Sequence, residues 1–300
     1  MMKKTVLTAA FLAVVACSVQ AAEFTPSVVP ASALWVGHLD MAGLKGTAVG
    51  QALLADPRVA DSPHRADFAS RFGLDPVRDV RGLTLYTDST GRLDAVVVFD
   101  TEPAAAKKLE AWRAQAGLTA DRYGAYTIFS RSAGEGVPYQ AVTDRGLVVA
   151  ALSLDGVKRS LDVLDGTAPA LDLAAFPAMV DRNGGAGSFA MVAGKDFGGD
   201  AQRVVPQVAL LKEAGDVCLV LGEREGRVTA AMSVCAAGEP EAERLRNALL
   251  GLVELSRAMA ANEGKAEALS AIAVSREGRT IRATGAWETG EVLKAAGVAE

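Results

Sequence analysis

The 300 residues are 50% apolar and 22% charged, a balance that excludes a disordered polyelectrolyte and a multi-pass membrane protein and leaves enough chain for a substantial core. With 31 basic against 36 acidic residues the formal net charge is −5, which attracts neither a phosphate backbone nor anionic lipid, so nucleic acid is not an expected partner. Three cysteines and two histidines are too few for zinc fingers, iron–sulfur cages or a disulfide-dense scaffold, and no metal or cofactor is expected.

Residues 1–21 read as a signal peptide. Lys3 and Lys4 make a positive start, Val6 to Ala16 an apolar stretch too short to span a bilayer alone, and Val19-Gln20-Ala21 a small-residue cleavage site. The expected product is exported, periplasmic or extracellular. Val14-Val15-Ala16-Cys17 also fits the pattern before a lipidated cysteine, which would tether the chain through Cys17; the polar stretch before Ala21 favours the soluble product. No later window holds about 18 uninterrupted apolar residues, so the mature chain has no expected membrane span.

After this segment the chain reads as two approximate copies of one pattern. In the first, Leu34 to Asp40 is a strand, Leu44 to Leu54 a helix and Leu83 to Phe99 a hairpin turning at Ser89-Thr90-Gly91-Arg92. A helix follows from Pro103 to Gln115, then a strand pair from Tyr139 to Leu152 around Asp144-Arg145-Gly146, and a helix from Asp155 to Leu164. In the second, Ser188 to Ala193 is the strand, Val204 to Ala214 the helix and Val217 to Cys235 the hairpin, turning at Arg224-Glu225-Gly226-Arg227. Pro240 to Ala261 is the long helix, with Leu245, Leu249, Leu252 and Met259 on one stripe. Ala271 to Trp287 is the closing strand pair and Glu291 to Ala296 the last helix.

Glycine near each hairpin apex supplies positive φ, and proline at the first helical position loses no hydrogen bond. Alternation along the strands predicts sheets with one buried face. The expected architecture is therefore α+β, two tandem copies of a largely antiparallel sheet with helices packed on one face. The first copy takes residues 22–168 and the second residues 188–300. Residues 169–187, with Pro169, Pro177 and Asn183-Gly184-Gly185, form the connection. An insert over 56–79 carries Ser62-Pro63, a helix cap and first position, then Phe68 and Phe72 before Gly73.

His38 and Asp40 share one strand face, the spacing at which a carboxylate orients an imidazole base. No nucleophile motif accompanies them: no serine lies in G-x-S-x-G or opens S-x-x-K. The pair reads as a polar pair near a strand end, and no catalytic residue is assigned. His64 belongs to a solvated helix face. Asp196-Phe197-Gly198 matches a kinase triplet as a string only, and the glycine-rich stretches 183–187 and 194–200 lack phosphate-loop spacing. Asp88, Asp94, Asp144, Glu223 and Glu225 fall at hairpin tips or outward strand positions and read as hydrated carboxylates.

Cys218 and Cys235 sit on the two arms of one hairpin, in a compartment where a disulfide is stable. The turn at Glu225-Gly226 sets Cys218 opposite Ser233 and leaves Cys235 one diagonal step away, so a bridge requires a bulge. Trp35, Trp112 and Trp287 read as core packing.

The export signal, the repeated module and the phrase Phe72-Gly73-Leu74-Asp75-Pro76 leading through Asp79-Val80-Arg81-Gly82-Leu83-Thr84-Leu85-Tyr86 together resemble uncharacterised exported bacterial proteins. That resemblance implies no activity, ligand or catalytic residue. The expected function is a non-catalytic binding or scaffolding module of the envelope, partnered by an envelope protein. A carrier of a small apolar ligand held between helices and sheet, or a hydrolase whose acid pair is distant in sequence, are the alternatives.

Overall fold

The computed structural model describes residues 22–88, 95–131, 138–176, 178, 187–196, 213–261 and 270–298. The expected signal segment with Cys17, the first hairpin turn with Asp94, the Asn183-Gly184-Gly185 turn, Phe197-Gly198 and most of the expected Val204 to Ala214 helix lie outside these residues.

Alternating and continuous apolar runs form strands β1 (Trp35–Asp40), β2 (Val80–Thr87), β3 (Val96–Thr101), β4 (Leu118–Tyr123), β5 (Tyr126–Arg131), β6 (Tyr139–Val142) and β7 (Leu147–Ala151). The later ones are β8 (Ser188–Gly194), β9 (Ala214–Arg224), β10 (Arg227–Ala236), β11 (Ala273–Glu277) and β12 (Thr280–Glu288). Among the described residues the α-helices are α1 (Met41–Lys45), α2 (Ala48–Ala55), α3 (Pro57–Ala60), α4 (Pro63–Phe72), α5 (Ala105–Ala116), α6 (Leu154–Leu164), α7 (Glu239–Ala261) and α8 (Thr289–Ala295).

The protein is α+β, and its strands make one 12-stranded antiparallel sheet in the order β11-β12-β10-β9-β8-β1-β2-β3-β7-β6-β5-β4. Two sheets were expected. They merge because β1 and β8 pair along Trp35↔Gly194 to Leu39↔Ala190, so each satisfies backbone groups that would otherwise stand at an open edge. Outward from this pair the order runs β1-β2-β3-β7-β6 on one side and β8-β9-β10-β12-β11 on the other. The β4–β5 hairpin, which falls outside the expected elements, lies beyond β6.

Helices cover both faces rather than one. On β7, Val149 and Ala151 join a core with Val36, Tyr86, Val98 and the α6 residues Val157 and Leu161. Their neighbours Val148 and Ala150 join Phe99, Leu74, the α1 residues Met41 and Leu44, and the α5 residue Leu109 on the opposite side. A strand buried on both faces needs an uninterrupted apolar run, which β7 has throughout and β3 has over Val96 to Phe99. A third core, Ala242 and Leu245 of α7 on Val234 and Ile281, lies under the second half. It ends at Leu249; Leu252, expected on the same stripe, is 59% exposed because the helix outruns the cluster beneath it.

The expected Leu44 to Leu54 helix is broken into α1 and α2. The Thr47 hydroxyl accepts from Gly50 N at 2.9 Å and starts a new helix, and Gly50 packs so closely on the Leu44 carbonyl that a Cβ would stand 1.8 Å from its oxygen. The Ser62 cap is as expected, with its side chain accepting from His64 N. Gly73 closes α4 in the left-handed region at φ 71°. In the β9–β10 turn Glu225 and Gly226 both have positive φ, as a two-residue hairpin of matching twist requires.

Candidate functional site

Strand β1 brings His38 and Asp40 to the face that carries Val36, as period two demands. Register sets His38 opposite Thr84 and Asp40 opposite Gly82 on β2. The residues that follow the expected export cut lie against this corner: a recess of about 60 Å³ is lined by Ala22, Glu23, Thr25, Val28, His38, Gly82, Thr84, Val98, Asp100 and Leu147.

Both ring nitrogens of His38 and the Oδ1 of Asp40 are committed. The His38 Nε2–H donates to the Ala22 carbonyl at 2.7 Å, an oxygen that can only accept. Nδ1 is then the acceptor, taking the Thr84 hydroxyl proton at 3.0 Å. Burial drives the imidazole below its ordinary proton affinity, against smaller upward pulls from the Ala22 carbonyl and the Asp40 and Asp100 carboxylates. The ring is therefore neutral. Phe24 packs edge-on against it, with ring centroids 5.6 Å apart.

Asp40 is 3% exposed and does not orient His38. Its Oδ1 accepts from Gly43 N at 2.7 Å, capping α1, and from Ala22 N at 3.0 Å. On the rim Arg81 donates to Asp100 at 2.7 Å.

This arrangement is poorly suited to acyl transfer. Thr84 is the one hydroxyl on the imidazole, it is buried, and the recess is several times smaller than the roughly 300–1,000 Å³ of a typical small-molecule site. The pair instead holds a backbone segment: carboxylate to the Ala22 N–H, imidazole to the Ala22 C=O. Sequence spacing found His38 and Asp40; Ala22 and Thr84 carried no local signal, because their link to the pair is long-range.

The other residues singled out from sequence do not converge. His64 is exposed on α4. Asp144 and Glu225 are exposed, as expected, and Asp88 faces Arg159 at 3.3 Å. Glu223 departs from expectation: its carboxylate accepts from Val49 N at 2.8 Å and from the Thr289 hydroxyl at 2.9 Å. Cys218 pairs with Ser233 and Cys235 with Asp216. Both thiols are buried, and among the described residues no disulfide is formed. Trp35 lies across Gly194 and Trp112 across Gly73, so close that a Cβ at either glycine would enter the ring.

Among the described residues no group of three His, Cys, Asp or Glu could hold a metal ion, and no helix is long and apolar enough to cross a membrane. Two surface features among the described residues bear on binding. Leu85, Val192 and Leu219, which are 41%, 50% and 40% exposed, fall in one row with Gly37 across β2, β1, β8 and β9. A wider, open recess of about 300 Å³ is lined by Val220, Thr229, Ala230, Ala231, Ala271, Thr284, Gly285 and Ala286.

No protein-family model matches the chain, and no curated protein matches it. Among solved structures it is similar to crystal form I of TP0453, at 11% identity, TM-score 0.49, over 92% of this chain and 97% of that one. Crystal form III of the same protein gives 11% identity, TM-score 0.49, over 92% and 98%.

Proposed function

We propose that this is an exported, non-catalytic binding or scaffolding module, built by duplication of one sheet-and-helix unit, which engages a protein of the cell envelope through the middle of its sheet. The observation that carries the reading is the row Leu85–Gly37–Val192–Leu219. Three large apolar side chains stand exposed side by side on adjacent strands, with a glycine between them leaving a shallow dip, where isolated exposed apolar residues would be unremarkable. Export is supported by Lys3, Lys4, the apolar stretch and Ala21. Duplication is supported by the matching strand orders outward from β1 and β8. The commitment of His38 and Asp40 to the backbone of Ala22, with the Thr84 hydroxyl held on the imidazole, favours binding over catalysis.

The test places a photo-crosslinking residue at Val192 and, as a control, at exposed Arg224, in the exported full-length chain within its native envelope. The expected result is a discrete protein adduct from position 192, absent from 224 and lost when Leu219→Asp is added. Equal adducts at both positions, or none, would sink the reading. A purely lipid or small-molecule adduct would favour the second reading, a carrier of an apolar ligand, for which the open recess by Val220 and Ala231 is the motive.

A further inference from the structure

We propose that the His38–Asp40 corner is a receptor for the mature N-terminus: hydrolysis of the Ala21–Ala22 bond converts the Ala22 N–H into an α-ammonium that pairs with the Asp40 carboxylate. The proposal rests on the export reading above, and it assigns the pair a role that spacing alone did not suggest.

Water and the signal peptidase of the exporting membrane supply the chemistry. The Ala21–Ala22 C–N bond breaks, water's hydroxyl goes to the Ala21 carbonyl carbon, and the Ala22 nitrogen takes the remaining hydrogen and a further proton from solvent at neutral pH. The new charge forms where its counter-charge already stands, since Ala22 N lies 3.0 Å from Asp40 Oδ1. Both residues are buried, Ala22 at 8% and Asp40 at 3% exposure.

Further observations fit this use. No ion pair found among the described residues involves Asp40, so its carboxylate faces only neutral N–H donors, those of Ala22 and Gly43, until a cation arrives. His38 holds the Ala22 carbonyl at 2.7 Å while remaining neutral, so it positions the terminal residue without competing for the carboxylate or repelling the ammonium. Gly82 leaves room for the terminal residue: a Cβ there would stand 2.8 Å from the Ala22 Cβ. The segment that follows is fixed to the core by Val28 and Val29, which holds the new terminus in place. The recess, about 60 Å³, has room for a water to take a remaining ammonium proton. Processing at Cys17 would instead leave Ala22 as an internal amide and Asp40 without a cation, so the corner matches the cut after Ala21.

The experiment compares the chain beginning at Ala22 with a free amine, released in vitro from a cleavable fusion, with the same chain acetylated at Ala22 and with a chain beginning at Gln20. The free-amine chain is expected to melt roughly 5 °C or more above both others. Its α-amine should react with an acylating reagent at least about tenfold more slowly when native than in urea. Asp40→Asn keeps the cap on α1, because asparagine caps as well as aspartate, and should erase both differences. Should Asp40→Asn fail to fold, the comparison of acetylated with free wild-type chain decides alone. Equal melting temperatures together with unprotected amine reactivity overturn the dock while leaving the export reading standing. Intact mass of the protein recovered from the exporting cell tests that reading separately: a chain starting at Ala22 supports it, and a diacylglyceryl-Cys17 chain overturns it.

Discussion

The Glu223 carboxylate on β9 accepts the backbone N–H of Val49 at 2.8 Å across 174 residues of sequence, while its other oxygen takes the Thr289 hydroxyl at 2.9 Å. One side chain thereby ties the first turn of α2, the middle of the sheet and the start of α8. Negative charge at a helix start is favourable, and a buried N–H left without its acceptor is costly.

Glu223→Ala is therefore expected to destabilise by about 1–3 kcal/mol, read from the urea midpoint at constant m. Glu223→Gln keeps an acceptor for Val49 and should cost less. In a double-mutant cycle Thr289→Val should add little to Glu223→Ala; full additivity would mean the hydroxyl bond contributes nothing.

Stability should depend on His38 in acid. Because burial lowers its proton affinity, the native state binds fewer protons than the unfolded chain once pH falls below about 6.5. The contribution is complete above that pH and is lost as pH drops through it, by at most about 1.4 kcal/mol per unit. The difference between wild type and His38→Gln in urea unfolding from pH 8 to 5 isolates it, and a difference that does not change with pH would refute it. Nitrogen NMR should find the proton on Nε2.

Gly73 and Gly117 make a matched pair. Both have positive φ, 71° and 62°. A Cβ at Gly117 meets nothing within 4 Å, whereas one at Gly73 would stand 2.6 Å from the Trp112 ring. Gly117→Ala should cost about 1 kcal/mol for the backbone alone. Gly73→Ala adds overpacking of about 1–3 kcal/mol and a change in Trp112 fluorescence. Equal costs would show that Trp112 moves aside freely.

The diagonal placement of Cys218 and Cys235, with Ser233 and Asp216 as their direct partners, predicts two thiols on titration of the denatured Ala22-first chain, and slow reaction of both in the native state because both are buried. A titration that finds none would mean that the hairpin shifts register to form the bridge.

The hairpins of the second half were legible because their turns are written locally. Glu225-Gly226 demands positive φ at both positions, and alternation on either side sets the register that places Cys218 opposite Ser233. Ser62-Pro63 and Gly73 likewise bound α4 from sequence alone. The double-sided burial of β7 was written in Leu147–Ala151 as an unbroken apolar run, yet alternation elsewhere suggested single-faced sheets. The Leu44 to Leu54 pattern is apolar enough for one helix; the Thr47 hydroxyl caps a second one on Gly50 N, and the close approach of Gly50 to the Leu44 carbonyl exists only after folding. At the candidate site, His38 and Asp40 were visible as a pair two residues apart, but not what they hold.

Sequence by itself determined the α+β class, the place of most strands, the caps that end α4 and the commitment of His38 and Asp40 to one face, since each follows from backbone geometry within a few residues. Tertiary structure alone decided that β1 and β8 join the strands into one sheet, that Glu223 bridges α2 to α8, and that Ala22 lies between an imidazole and a carboxylate. Those are pairings across tens to hundreds of residues, selected by the burial of whole faces and the need to satisfy buried polar groups, and no local pattern encodes them.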